Sequence, residues 1–179
     1  LEVLDMGIIP DRKKSIWNAL QKSAQRADAL ITMGGVSMGE FDFVRKGIER
    51  LGRLVFWKVR MKPGGPQAFG TIHGKPVFGL PGNPVSTYVI FNLFVLPALR
   101  KMSGDHVEVL KGLPKQGREK LNFGPVKFRP HRANGQFIQL NTRGSHDLLS
   151  WLPADGMAPK KPNSFRNSSP VIFPLEGGK

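Results

Sequence analysis

Two stretches of the chain carry residues whose types and spacing suit the holding of an anion. The first is Met33-Gly34-Gly35-Val36-Ser37-Met38-Gly39-Glu40-Phe41-Asp42, between a short apolar run and an amphipathic segment. Its glycines let backbone N–H groups close on a phosphate or a similar oxyanion, and a helix start behind them adds partial positive charge. Glycines alone describe equally well a tight connection that needs small residues. The carboxylates of Glu40 and Asp42 change the balance, because they repel a phosphate unless Mg²⁺ or another cation lies between. Asp42 alternatively caps the helix that begins at Phe43. The second stretch is Gly79-Leu80-Pro81-Gly82-Asn83-Pro84, with Asn83 as N-cap and Pro84 at the first helical position. Two such turns, each closing a parallel-type strand, can form adjoining walls of one cleft for a ligand with more than one anionic group. Ser86, in the first turn of that helix, could donate to the same anion or simply be solvated.

A third candidate is basic. Lys58, Arg60 and Lys62 stand two apart in a segment read as a strand over 54–61 and its immediate continuation. In extended chain such residues project to one side, so three cations share a surface and require an anion or a carboxylate to offset them. A solvated strand face is the bland alternative. Ser145-His146-Asp147 has triad residue types, but sequence neighbours in a loop seldom adopt triad geometry.

The elements that must position these residues are legible from periodicity. Ile16, Trp17, Leu20, Ala24 and Ala27 fall at helical spacing among Lys, Arg and Gln. The run 29–32 ends in glycines and reads as a buried strand, followed by a helix over 43–51. Residues 67–72 and 75–78 pair as a hairpin through His73-Gly74, and Asn83-Pro84 opens a helix that runs to about Met102. Alternating strands and helices of this length predict an α/β fold with a mainly parallel sheet covered on both faces. Beyond Gly104, short β-type segments at 107–110, 126–128, 137–140 and 170–174 alternate with Pro, Gly and Asn turns and predict a small β-barrel-like domain. The domains expected are 1–104 and 105–179.

Composition excludes several classes. The 179 residues contain no Cys, which removes disulfides, thiolate zinc sites and cysteine nucleophiles and fits a reducing, cytoplasmic setting. No apolar run reaches the length of a spanning helix, so a soluble protein with no membrane partner is expected. Lys and Arg number 27 against 13 Asp and Glu, which invites a nucleic-acid reading. The patterning is poor for it: there is no helix-turn-helix, no RNP-like strand, and no basic run longer than Arg12-Lys13-Lys14. Basic residues number fifteen against eight acidic in 1–105 and twelve against five in 106–179, so neither part is a basic arm.

Taken together, Gly34-Gly35-Val36-Ser37-Met38-Gly39-Glu40-Phe41-Asp42, Lys62-Pro63-Gly64-Gly65-Pro66 with Ala68-Phe69-Gly70, and Gly79-Leu80-Pro81-Gly82-Asn83-Pro84-Val85-Ser86 resemble, in order and spacing, the molybdopterin molybdenumtransferase family, MoeA and the carboxyl-terminal domain of gephyrin. The resemblance is strong over 4–103 and weaker beyond, through Arg118-Glu119 and Gly144-Ser145-His146-Asp147. It implies a MogA/MoaB-like α/β domain, incomplete at its amino end, followed by the family's carboxyl-terminal β domain. The implied activity is insertion of molybdate into adenylylated molybdopterin with release of AMP, aided by Mg²⁺.

By the same resemblance, Asp42 and Asp11 match family acids that look towards metal or molybdate, with Glu40 beside Asp42 as a metal ligand. Lys58 and Lys62 match the lysines that hold the oxyanion or the ligand's phosphates. Gly34, Gly35, Ser37, Gly39, Pro63, Gly64, Gly79, Pro81, Gly82, Asn83 and Ser86 are implied to line the pterin site. Ser145 is implied to close over the cleft of a neighbouring subunit in a homodimer. A MogA-type adenylyltransferase is the implied protein partner. Gly65 stands where the family's second lysine of Lys-Pro-Gly-Lys-Pro is usual, and a start at Leu1 without Met leads to the expectation of a fragment whose upstream strand and acidic loop are missing from the given sequence. A scaffold that binds molybdopterin without catalysis is the alternative.

Overall fold

The structure, a computed structural model, describes residues 1–36, 42–105, 121–129, 136–139, 156–159 and 173–174, with Met157 the one described side chain beyond 105. Residues 1–12 form neither helix nor strand, and a turn sits at Gly7, whose N–H donates to Asp5 Oδ1. Helix α1 (Lys13–Arg26) buries Ile16, Leu20 and Ala24, an i, i+4, i+8 stripe that gives the helix one apolar face. Strand β1 (Leu30–Met33) follows, then α2 (Phe43–Leu51) with Val44, Gly47 and Ile48 turned inward. Gly47 is where α1 and α2 approach: a Cβ there would lie 2.7 Å from Leu20 Cδ1.

The expected strand over 54–61 is in fact two strands. β2 (Gly52–Trp57) ends at Lys58, whose backbone takes the left-handed conformation with φ 65, and β3 (Met61–Lys62) pairs in parallel with β6 (Leu121–Arg129) in a different sheet. Period-two alternation is interrupted by a bulge between Leu54 and Phe56 and ends at Trp57, and Lys58, Arg60 and Lys62 do not share a strand face.

β4 (Ala68–Ile72) and β5 (Lys75–Leu80) form the predicted hairpin, with His73 at φ 50 and Gly74 at φ 75 as its two-residue turn. The first sheet has the order β1-β5-β4-β2. Only β1 and β5 are parallel; β5–β4 and β4–β2 are antiparallel, so the sheet is mixed and not mainly parallel. For β4 and β5 the cause is local, since a two-residue connection can join only antiparallel neighbours.

Helices cover both faces. One core joins Ile16, Leu20, Ala24, Val44 and Ile48 to Leu30, Ala68, Ile72 and Val77. The other joins Phe78 and Leu80 to Val85, Val89, Ile90, Leu93 and Val95. Those last residues belong to α3 (Pro84–Ile90) and a π-helical stretch, Phe91–Val95, which continues into α4 (Leu96–Met102). Pro97 lacks the N–H that would reach the Leu93 carbonyl, and the helix widens just before it, with Leu96 N–H donating to Phe91 O.

The second sheet runs β3-β6-β8-β9, with β7 (Gln136–Gln139) on the other side of β6. β8 is Gly156–Pro159 and β9 is Phe173–Pro174. The predicted segments at 126–128, 137–140 and 170–174 overlap β6, β7 and β9, while 107–110 lies outside the described residues. Met157 is fully buried in the core built around α3, and β3 supplies an edge of this sheet. No helix among the described residues is long and apolar enough to cross a membrane.

Candidate functional site

Register fixes where the candidate residues meet. Thr32 pairs with Gly79, Gly79 with Ala68, and Ala68 with Trp57, so one row crosses the whole first sheet. β2 is antiparallel to β4, which is antiparallel to β5, so β1, β5 and β2 all end at the same side. At a strand spacing of about 4.8 Å the row is roughly 14 Å wide. Directly beyond it stand Gly34 after β1, Pro81 after β5 and Lys58 after β2.

The two glycine turns touch. Gly34 N–H donates to Leu80 O at 2.8 Å, and a Cβ added to Gly82 would lie 3.7 Å from Gly34 Cα. Gly34 and Gly35 have φ 90 and 70, conformations that favour glycine. A Cβ on Gly35 would meet Val44 Cγ2 at 2.6 Å, and one on Gly79 would meet Val36 Cγ1 at 2.6 Å. Steric need therefore explains Gly35 and Gly79. Gly82 is exposed, has no positive φ, and a Cβ there would make only an ordinary van der Waals contact with Gly34, so the fold does not require a glycine there.

Asp42 is the N-cap of α2: one oxygen accepts from Arg45 N–H at 3.1 Å, and the side chain is 1% exposed. The other oxygen, Oδ2, is buried without a hydrogen-bond partner among the described residues, 3.5 Å from Arg45 Nε in a loose ion pair. Burial pushes the Asp42 carboxyl above the usual carboxylate range, opposed by the Arg45 backbone N–H and by its guanidinium. Arg45 also pairs with Glu49 and stacks on Trp57, its Cζ 4.7 Å from the ring centroid. Lys58 Nζ lies over the same ring at 3.9 Å. Asp42, Arg45, Trp57 and Lys58 thus form one continuous chain of contacts.

The second turn carries the matching cap. Asn83 Oδ1 accepts from Ser86 N–H at 3.1 Å, and Thr87 Oγ1 donates to Pro81 O and Asn83 O. Ser86 is buried behind this cap and is not a solvated surface residue. Pro81 is buried, Asn83 half-buried.

Other predicted residues lie further out. Lys62 is exposed in β3, and Pro63 and Gly64 follow it in a loop packed on α3, where a Cβ on Gly64 would meet Ile90 Cδ1 at 2.5 Å. Asp11 is exposed two residues before α1, and Trp17 Nε1 donates to Phe43 O at 3.0 Å, which sets the start of α1 beside the start of α2. The Asp11 side chain takes no part in the chain of contacts from Asp42 to Lys58. Ser37, Gly39, Glu40 and Ser145 lie outside the described residues. Among the described residues no three His, Cys, Asp or Glu side chains gather to hold a metal ion. Asp42, the candidate ligand described, faces the Arg45 guanidinium, so these residues do not by themselves fit a Mg²⁺ site.

Three residues were not singled out from sequence. Arg45 was readable as the centre of an i−3, i+4 acid pattern with Asp42 and Glu49. Trp57 gave no such signal. Gln67 is buried at 3%, and its side-chain Nε2 donates to Gly64 O at 3.1 Å, while its backbone carbonyl accepts from Lys58 N–H at 2.9 Å. It ties both ends of the 58–67 loop together.

A family model described as "probable molybdopterin binding domain" matches residues 1–101. The chain is 44% identical over 103 residues to a molybdopterin molybdenumtransferase of Haemophilus influenzae, covering 58% of this chain and 26% of that protein. It is also 44% identical over 115 residues to gephyrin of Dictyostelium discoideum, covering 55% of this chain and 16% of the relative. A crystal structure of the molybdopterin biosynthesis moeA protein of Pyrococcus horikoshii superimposes with a TM-score of 0.63 at 25% identity, over 96% of this chain and 40% of that one. The chain spans from about a sixth to two fifths of the length of these relatives.

Proposed function

This chain belongs to the family of probable molybdopterin binding domains, and from that premise we propose that it is the part of a molybdenum insertase that receives a phosphorylated pterin and an oxyanion at the carboxyl ends of β1, β5 and β2. The substrates are adenylylated molybdopterin and molybdate, and the product besides the metal-loaded cofactor is AMP. The observation that carries this is the row Thr32, Gly79, Ala68, Trp57, which sets both glycine turns and Lys58 along one rim.

Backbone N–H groups of the turns bind and orient the ligand's phosphates, and Gly82 leaves its approach open. The Lys58 ammonium attracts molybdate and offsets charge that builds on phosphate as AMP departs. Asp42 pairs with the Arg45 guanidinium, and Arg45 and Lys58 both lie over the Trp57 ring, so two cations gather beside it. Mg²⁺, expected from the family resemblance, would supply further charge neutralisation. Its ligands are not assembled by the described residues, and neutralisation at Asp42 is a property of Arg45. Catalysis of this kind is positioning and electrostatics and needs no side-chain nucleophile.

We assign 1–104 to the pterin-binding unit and 105–179 to a smaller, barrel-like β unit that carries Ser145. The working form is a cytoplasmic homodimer supplied with substrate by a MogA-type adenylyltransferase. The full-length protein, given molybdate and adenylylated molybdopterin, is expected to release AMP, and Asp42→Asn is expected to suppress that release. Tight pterin binding with no AMP release would assign a scaffold role instead. Retention on DNA or RNA that molybdopterin does not displace would overturn both.

A further inference from the structure

Consecutive residues of a regular strand point to opposite faces, so Trp57 and Lys58 could not touch through their side chains in an undistorted β2. They touch because Lys58 leaves the strand in the left-handed region, φ 65, a conformation uncommon for a residue with a Cβ. The Lys58 N–H is held there by Gln67 O, and the ammonium folds back over the indole, 3.9 Å from its centroid. Backbone strain of this kind persists only where surrounding structure imposes it.

The charges around the ring are unequal. Arg45 shares the same indole but is paired to Asp42 and Glu49. Lys58 is exposed and forms no ion pair with a described carboxylate, and its cation is seated on the aromatic ring with its N–H donors towards solvent or an incoming anion. Trp57 itself is chosen against simple packing. Its Nε1–H is buried without a hydrogen-bond partner among the described residues, whereas Trp17 Nε1–H is satisfied by Phe43 O. A phenylalanine would fill much of the same space with no orphaned donor. What tryptophan adds is the stronger cation-binding face.

Resting on the function proposed above, we propose that Trp57 is a positioning residue that presets the Lys58 ammonium for a tetrahedral oxyanion. The ring withdraws rotamer freedom from a long side chain before the anion arrives, so less is lost on binding. The anion is free molybdate or a phosphate of the pterin ligand, which share charge and shape.

The test uses the full-length protein with Trp57→Leu, Trp57→Phe and Lys58→Met, and with sodium molybdate and inorganic phosphate as separate probes. Trp57→Leu is expected to raise the dissociation constant and the KM for the anion roughly three- to tenfold, with kcat nearly unchanged. Trp57→Phe should fall between, with a Tm no lower than wild type, which separates positioning from folding. With ¹³C-dimethylated lysines, the Lys58 resonance should show an upfield ring-current shift in the wild type that Trp57→Leu abolishes. Weakening seen with phosphate alone assigns Lys58 to the ligand's phosphate and supports the proposal. If Lys58→Met weakens the anion and Trp57→Leu does not, or if the ring-current shift is missing, Trp57 has no such role. If Lys58→Met leaves anion binding unchanged, the assignment of Lys58 in the proposed function fails, and the role of Trp57 with it.

Discussion

The two glycine turns at the rim solve the same folding problem with different chemistry. Asp42 and Asn83 each cap a helix by accepting the backbone N–H three residues on, and both bonds are 3.1 Å long. The Asn83 amide shows that a neutral oxygen is enough for the task. Asp42 performs it with a buried charge, one oxygen left unpartnered, and an arginine drawn in to offset it. Asn and Asp are about equal as N-caps, so the negative charge at the first turn is surplus to helix formation. The glycines differ in the opposite sense: Gly35 is demanded by Val44, whereas nothing in the fold demands Gly82. One turn thus has a charge, and the other a bare backbone, that folding does not account for.

The largest effect should come from exchanging charge for shape at the first turn. Asp42→Asn is expected to lower AMP release by the full-length protein by roughly a hundredfold, because it releases the Arg45 guanidinium that the carboxylate holds in place, while leaving the Tm at or above the wild-type value. Asp42→Ala, which also removes the cap, should cost about 1 kcal/mol in denaturant unfolding. Equal loss of stability in both variants would mean that the charge is structural and break the comparison.

Next in size are the glycines. Gly35→Ala forces a Cβ against Val44 at positive φ and should destabilise by about 1–3 kcal/mol. Gly82→Ala should unfold with a midpoint close to wild type and yet bind the pterin substrate less well, measured by equilibrium titration. A stable, fully binding Gly82→Ala would remove the second turn from the cleft.

A smaller effect follows from the titration of Asp42. Its folded pKa is raised, chiefly by burial, so the folded chain holds that proton more tightly than the unfolded chain does. Below the unfolded value of 3.8 both states are protonated and the group is neutral to stability. As the pH climbs through 3.8 and then through the raised folded value, the unfolded chain ionises first and stability falls. The stability of Asp42→Asn relative to wild type should therefore grow from acid towards neutral pH, as followed by urea unfolding at several pH values. The smallest effect belongs to Lys75 and Asp28, an exposed ion pair at 2.8 Å far from the rim. Lys75→Met is expected to leave both AMP release and Tm unchanged within error.

Much of this layout was legible in the sequence. Ile16, Leu20 and Ala24 announced α1 by spacing, His73-Gly74 announced the hairpin, and Asn83-Pro84 announced a capped helix, because each is a local preference that the tertiary fold reinforces. The hairpin implied one antiparallel pair, β4 with β5, but the antiparallel pairing of β2 with β4 that makes the sheet mixed runs through the 58–67 connection and left no such signal. The bend at Lys58 was hidden for a different reason. It depends on a bond to Gln67 and on the pairing of Met61 with Leu121, sixty residues away, and no periodicity in 54–61 records either. The contact of Arg45 and Lys58 on one ring is likewise a product of assembly, invisible until α2 and β2 are laid side by side.

The far flank of the first sheet has a practical consequence. β1 is paired on one side only among the described strands, with Ile31 42% and Met33 78% exposed on it. Such a flank offers hydrogen-bonding backbone and greasy side chains together, which invites a second molecule to zip onto it. Preparations of these 179 residues alone should be concentration-sensitive, turning cloudy or sedimenting as larger species as they are concentrated, and a charged residue placed at Met33 should keep them clear.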